Sequence, residues 1–296
     1  MCLRGSTEPL LLAQFFSMAL NLQTLRTRSL TAAVFVVVML SGLLINYYTF
    51  FVLFSIIHFG CWFEYHKLIG KIDATYQEVP FLPKLAVAWL GWSFLFLFSK
   101  EVWMIETGKW LFYAALGFVI ASLLIYRKTL SPKNTGYLLL GLLYISLAWT
   151  AMIDLRSALL LPSTDGRTIP LVLIASIWIN DTMAYIVGSL IGKTPFSSIS
   201  PKKTWEGTAG GALLAVLVMT AVCYLAFNLP PVSIFIISAV AAVVGTLGDL
   251  LESKLKRMAD VKDSGSIMPG HGGFLDRFDS LLLATPFVWL YVAFAA

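Results

Sequence analysis

Long apolar runs occupy residues 30–47, 49–65, 83–99, 109–126, 136–160, 169–191, 207–228, 231–250 and 280–296, and only short polar turns separate them. A chain written this way has few folds open to it. In hydrocarbon, every backbone N–H and C=O must be satisfied within the membrane-embedded structure. A run of roughly 20 apolar residues is long enough to cross a bilayer as a helix. Charged residues make up 12% of the chain, against about 25% in a soluble domain, so a water-soluble globule is excluded. The expected fold is all-α: a polytopic integral membrane protein with about nine transmembrane helices. The separators Asn46 to Thr49, Pro80 to Pro83, Ser131 to Asn134 and Asn228 to Pro231 carry turn residues, and none is long enough to hold a second folded domain.

Cytoplasmic loops retain Lys and Arg. With the N-terminus inside, nine crossings divide the 21 basic residues 17 to 4 in favour of the inner face, leaving only Lys100, Lys109, Arg156 and Arg167 outside. The expectation is therefore N-inside and C-outside. Residues 1–29 read as an amphipathic N-terminal extension, residues 30–166 as helices one to five, and residues 167–296 as helices six to nine with cytoplasmic loops at 192–206 and 251–279. The net charge of +5 follows from this inside bias and does not imply nucleic acid as a partner. Cys2, Cys61 and Cys223 lie too far apart to suggest a disulfide framework or a zinc site.

Chemistry concentrates in three places. Gly245, Gly248, Asp249, Glu252, Ser253 and Lys256 fall at steps of 3, 4, 7, 8 and 11, on one face of a helix leaving the membrane. An ionisable group at the depth of Asp249 is costly unless it meets a partner or a wet cavity. Pro269 to Gly273 then sets three glycines around His271, and glycines let backbone N–H groups approach a phosphate closely. Asp276 and Asp279 follow three residues apart, a spacing of oxygen ligands that suits Mg²⁺ held together with substrate phosphates. Finally, Lys193, Ser200, Lys202, Lys203 and Thr204 supply positive charge and hydroxyls for phosphate, beside a helix with Asn180 and Asp181 in an apolar run. Lys193 does not belong to a Walker A loop, because the earlier glycine of that pattern is replaced by Val187. His58 and His66 read as structural or interfacial, and Asp154 and Arg156, near the outer face, are weak candidates.

The segment from Ser253 to Asp279, with Lys262-Asp263-Ser264-Gly265 and Met268-Pro-Gly-His-Gly-Gly-Phe-Leu-Asp-Arg-Phe-Asp279 at fixed spacing over 27 residues, resembles the signature of the phosphatidate cytidylyltransferases, or CDP-diacylglycerol synthases, of bacterial type. The loop Ser200 to Gly207 and the Asn180–Asp181 helix share the resemblance; the first half does so only in hydropathy and in Glu64. The resemblance implies the reaction of CTP with phosphatidate to give CDP-diacylglycerol and pyrophosphate at the cytoplasmic side of the cell's inner membrane. It also implies Asp249 and Asp276 as a metal-ligand pair for Mg²⁺, alone or with a second cation, with Asp279 and Asp181 in support. Lys256, Arg257, Lys262, Arg277, Lys202 and Lys203 then hold phosphates; Ser253, Asp263, Gly272 and Gly273 complete the substrate site, and His271 is either a general base or, in the favoured reading, a positioning residue. Homodimerisation is a further implication.

Two other readings use similar parts. A CTP-dependent lipid or polyprenol kinase would transfer the γ-phosphoryl group instead. A transporter would also carry intramembrane acids, but duplicated halves are absent from the sequence. A CDP-alcohol phosphotransferase is excluded, since Asp165-Gly166 is followed by Arg167, Thr168 and Ile169.

Overall fold

The computed structural model describes residues 22–162, 164–267 and 272–295, with side chains from residue 29 on. Its helices are α1 Leu22–Leu44, α2 Tyr47–Ile72, the single turn α3 Ala74–Gln77, α4 Phe81–Leu97 and α5 Val102–Ile125. They continue with α6 Pro132–Gly141, a π-helical turn Leu142–Ser146 and α7 Leu147–Leu155 as one rod. Then come α8 Thr168–Ile191, α9 Trp205–Phe227, α10 Pro231–Met258 and α11 Phe274–Ala295. Pro195 and Thr204 form an isolated antiparallel bridge.

The apolar runs thus map onto α1, α2, α4, α5, the α6–α7 rod and α8 to α11. By length and composition, six of these can cross a membrane: α5, the α6–α7 rod, α8, α9, α10 and α11. Residues 29–44 of α1 and all of α4 are shorter apolar helices. In α2 the apolar stretch is diluted by Tyr47, Tyr48, His58 and Glu64. The architecture is that of a multi-pass, all-helical membrane protein.

Three helices outrun their apolar runs at polar ends: α2 continues to Ile72, α10 to Met258, and α11 begins at Phe274 rather than at 280. The physical reason is that these polar ends find partners, as described below. Helix α1 starts at Leu22 and so takes in residues assigned above to the N-terminal extension; the rest of that extension, residues 1–21, lies outside the described residues together with Cys2.

Helix α2 makes contacts from its start through its middle. Asn46 and Thr49 exchange a capping box at its start, with contacts of 2.8 and 3.2 Å. In its middle, Ser146 on the π turn accepts from the Trp62 indole at 3.0 Å and lies 3.0 Å from His58 Nε2. Phe50 and Phe54 pack on one another and Phe54 on Trp149, which meets Phe278 of α11 edge-on. His58 is therefore a core residue, as its isolation in the sequence suggested. Cys61 and Cys223 are buried free thiols.

In the second half, α8, α9, α10 and α11 pack around the polar residues. The Ser176 and Ser238 hydroxyls pair at 3.0 Å between α8 and α10. Helix α9 approaches α8 so closely that a Cβ on Gly211 would stand 2.7 Å from the Asn180 carbonyl and from Ala184. This is the close approach that small residues permit in membrane bundles.

Candidate active site

Helix α10 presents its polar residues in two directions. Glu252 and Lys256 face α11, while Asp249 and Ser253 turn toward α8 and the 192–204 loop. The face legible in the sequence is thus wide enough to serve two sets of partners.

Toward α11, Lys256 Nζ lies 2.6 Å from Glu252 Oε2 and 2.7 Å from Asp276 Oδ1. The Glu252 side chain is 0% exposed. Apart from this ion pair, neither of its oxygens accepts a well-directed hydrogen bond. Asp276 is heavily engaged. Its Oδ2 accepts from the Gly273 N–H (2.8 Å) and the Ser264 N–H (2.8 Å), and lies 2.9 Å from the Ser264 hydroxyl. Asp276 sits three residues after Gly273 and so returns a hydrogen bond to the residue that precedes the helix, as the third-position acid of a capping box does.

Two further donors of the α11 start are taken by a residue more than 200 positions away. Glu64, on α2 and 2% exposed, accepts from Phe274 N–H through Oε1 (2.9 Å) and from Leu275 N–H through Oε2 (2.9 Å). The Ser264 hydroxyl also reaches Glu64 Oε2, at 2.8 Å. Two carboxylates therefore satisfy a helix N-terminus whose orphan N–H groups and dipole favour negative charge. The glycines here are steric necessities: a Cβ on Gly273 or Gly265 would collide with the Glu64 carboxylate, and Gly272 has φ +82°. The sequence carried one signal for Glu64, a lone acid in an aromatic apolar run, but nothing that named its partners.

On the other side of α10, Asp249 forms an ion pair with Lys203 and accepts from the Ser253 hydroxyl at 3.3 Å. Lys203 is carried there by a well-ordered turn. Phe196 N–H donates to the Lys203 carbonyl (2.8 Å), Trp205 N–H to Thr194 (2.9 Å), and Lys203 N–H to Ser200 (3.1 Å). The Glu206 carboxylate accepts from the N–H groups of Lys193 and Thr194 and from the Thr194 hydroxyl. Thr204 caps α9 through the Gly207 N–H at 3.1 Å. Lys193 itself is exposed.

A cavity of about 410 Å³ opens between these elements, lined among others by Asn180, Asp181, Lys202, Lys203, Thr204 and Asp249. Asn180 is buried at 3% exposure, with long contacts from its amide to Thr246 (3.5 Å) and Asp181 (3.4 Å), while its Oδ1 has no partner. Asp279, from α11, stands within electrostatic reach of both Asp249 and Asp181. A Cβ on Gly248 would meet the Asp279 backbone carbonyl, so α10 and α11 cross tightly at this point.

The structure thus gathers Asn180, Asp181, Lys202, Lys203, Thr204, Asp249, Ser253 and Asp279 around one centre, and Lys256, Asp276, Gly272 and Gly273 around an adjoining one. Arg257 donates to the Val261 carbonyl at 3.3 Å, and Arg257, Lys262, Asp263 and Arg277 are all exposed. His271 lies outside the described residues. Away from this region, Asp154 accepts from the Trp289 indole (2.6 Å) and Arg156 lies 3.6 Å from Asp165; both pairs are structural.

Among the described residues, no three His, Cys, Asp or Glu side chains converge at metal-ligand distance. The donor chemistry nevertheless fits a hard divalent cation: Asp181, Asp249 and Asp279 are mutually repelling oxygen donors, with Lys203 as counter-charge to the first two and Lys256 to the third.

The family model for the cytidylyltransferase family matches residues 26–295 of this sequence. A phosphatidate cytidylyltransferase of Bacillus subtilis (strain 168) is 39% identical over 183 residues, covering 59% of this chain and 66% of the relative. One from Staphylococcus saprophyticus is 35% identical over 175 residues, covering 58% and 65%. Another from Staphylococcus epidermidis is 34% identical over 190 residues, covering 61% and 70%. The aligned part spans about two thirds of the length of these relatives, just under it for the first two.

Proposed function

This chain belongs to the cytidylyltransferase family, and from that membership we propose that it joins CTP to phosphatidate, giving CDP-diacylglycerol and pyrophosphate. The observation that carries this reading is the cavity that sets Asp181 and Asp249 against Lys202 and Lys203 at the end of a membrane-embedded helix bundle. Two polyanions must be brought together in such a reaction, and catalysis of phosphoryl and nucleotidyl transfer rests on positioning and charge neutralisation.

A phosphatidate oxygen attacks the α-phosphorus of CTP; the new P–O bond forms as the bond to the β-phosphate bridge breaks, and pyrophosphate leaves. A phosphate monoester is already largely ionised near neutral pH, with a second pKa of about 6, so no strong base is required. His271 is accordingly assigned to positioning. Lys202 and Lys203 meet phosphate oxygens at the cavity wall. Lys256, Arg257, Lys262 and Arg277 supply positive charge along the α10–α11 rim, with Lys193 and Ser200 at the edge of the 192–204 turn. Asp249 and Asp276, supported by Asp181 and Asp279, are the residues that would hold Mg²⁺, and this ion would supply charge neutralisation for the nucleotide phosphates and the departing pyrophosphate. Asp276 can take part through Oδ1 only by giving up Lys256, because its Oδ2 is occupied by the α11 start.

We also keep nine crossings, N-inside and C-outside in the inner membrane, with the cavity facing the cytoplasm. The supporting point is that loops 192–206 and 251–279, which carry most of the site's lysines, come together at one end of the bundle.

The test is product formation by purified protein given α-labelled CTP, phosphatidate and Mg²⁺, beside Asp249→Asn and Lys203→Met. The expected result is lipid-soluble label that requires phosphatidate, vanishes with EDTA, returns with Mg²⁺, and falls at least about 100-fold in both variants. Label entering lipid from γ-labelled CTP instead would replace this reading with the kinase.

A further inference from the structure

A second concave site lies between α2, α3 and α4. It is a groove of about 880 Å³ whose walls include Phe59, Phe63, Phe81 and Leu85. Phe63 and Phe81 are 57% and 71% exposed, so the groove opens outward and not into the protein core. It shares no lining residue with the cavity beside Asp249.

Three lysines, Lys67, Lys71 and Lys84, line this apolar trough, and no acid does. Among the described residues none of the three forms an ion pair. Lys67 Nζ rests on the Phe63 ring at 4.2 Å and Lys84 Nζ on the Tyr76 ring at 4.8 Å. Contact with a ring face orients an ammonium without neutralising it. Of the acids nearest in sequence, Glu64 is engaged at the α11 start, Asp73 is taken by Lys133 at 2.6 Å, and the exposed Glu78 does not line the groove. His66 also lines the groove; its Nδ1 lies 2.8 Å from the Tyr76 hydroxyl, while its buried Nε2 has no partner.

An apolar trough rimmed by three uncompensated cations has the character of a headgroup-and-chain site. We propose that the α2–α4 groove binds an anionic phospholipid, its phosphate among Lys67, Lys71 and Lys84 and its proximal acyl chain against Phe59, Phe63 and Phe81. A free phosphate would leave the aromatic wall bare, and a zwitterionic lipid would bring its own cation toward the three lysines. Basic pockets between membrane helices are known to hold anionic headgroups in this way. This site is independent of the reaction proposed above.

The experiment is native mass spectrometry of the full chain released from micelles containing either phosphatidylglycerol or phosphatidylcholine with the same acyl chains, without nucleotide. Wild-type protein is expected to retain phosphatidylglycerol roughly tenfold over phosphatidylcholine, and the triple variant Lys67→Gln/Lys71→Gln/Lys84→Gln to lose that preference. The triple Arg variant should keep it. Single Lys→Gln variants, each with an unchanged melting temperature in lipid-free detergent, should show partial loss and keep the test valid if the triple variant does not fold. Lys203→Met should retain the lipid like wild type, which separates this site from the candidate active site. Equal retention of the two lipids, displacement by inorganic phosphate alone, or a preference that survives the triple Gln variant would overturn the proposal.

Discussion

Lys256 is the residue on which most local charge depends. It is the only described cation paired with Glu252, and it also neutralises Asp276. A buried carboxylate that loses its counter-charge is strongly destabilising, by about 3 to 5 kcal/mol. Lys256→Met is therefore expected to lower the unfolding free energy by that order, read from denaturant midpoints in detergent. Adding Glu252→Gln to it should recover a large part of the loss, because the orphaned charge is then gone. Had Lys256 served only as an exposed phosphate contact, the single change would leave stability within about 0.5 kcal/mol. Its spacing on α10 and its charge were legible in the sequence. Its dependence on Glu252 was not, since an acid four residues earlier on a helix is ordinarily a solvated pair of small value, and only the packing of α11 over α10 removes the solvent.

Among the elements, α11 is the one whose start depends on another helix. Glu64→Ala would leave the N–H groups of Phe274 and Leu275 and the Ser264 hydroxyl without this acceptor, at roughly 1 to 3 kcal/mol for each buried group left unpaired. A total loss of several kcal/mol is expected, with Glu64→Gln intermediate because one oxygen acceptor remains. Thermal unfolding of the two variants measures this, and equal behaviour of Gln and Ala would argue against the capping role. The α2–α3 corner shows a different dependence. The Lys133 ammonium, followed by the Thr75 hydroxyl, holds the Asp73 carboxyl down at about 2, below its usual 3.8. A folded-state value below the unfolded one means that the stabilisation is complete above about pH 4 and is lost as pH falls toward 2. Asp73→Asn should accordingly melt below wild type at pH 6, and the gap should narrow as the pH is lowered through 3. The end of α2 could not be placed from hydropathy, because Lys67 and Lys71 look like the exit from a membrane helix, whereas the helix runs seven residues beyond the apolar run before Asp73 caps it.

For the whole molecule, the proposed topology makes the two lysine-bearing ends of the bundle distinguishable from solution. In a chain with Cys61 and Cys223 left buried and Cys2 replaced, Ser198→Cys should react with a membrane-impermeant maleimide only from the cytoplasmic side, and Lys100→Cys only from the outer side. Labelling of both from one side would remove the nine-crossing, N-inside arrangement. The same scale explains why the two halves act together. Helices α8 to α11 and the 192–204 turn carry the acids and lysines of the candidate active site, while α2 supplies Glu64 to the start of α11 and, on another of its faces, lines the α2–α4 groove.

The amino-acid sequence by itself determined what is local: apolar runs long enough to force helices, the charge asymmetry of their loops, and the motif from Ser253 to Asp279 with its glycines and acids. These are properties of neighbouring residues, and the physics of transfer into hydrocarbon and of helical periodicity acts on neighbours. Tertiary structure alone decided which oxygen meets which donor. Glu64 and Phe274 are 210 positions apart, and Lys203 and Asp249 are 46 apart. Hydropathy carries no information on such pairings. They are selected because an ionised group buried in a low-dielectric bundle is tolerated only beside a partner, and only the packing of α2, α10 and α11 against one another brings those partners within reach.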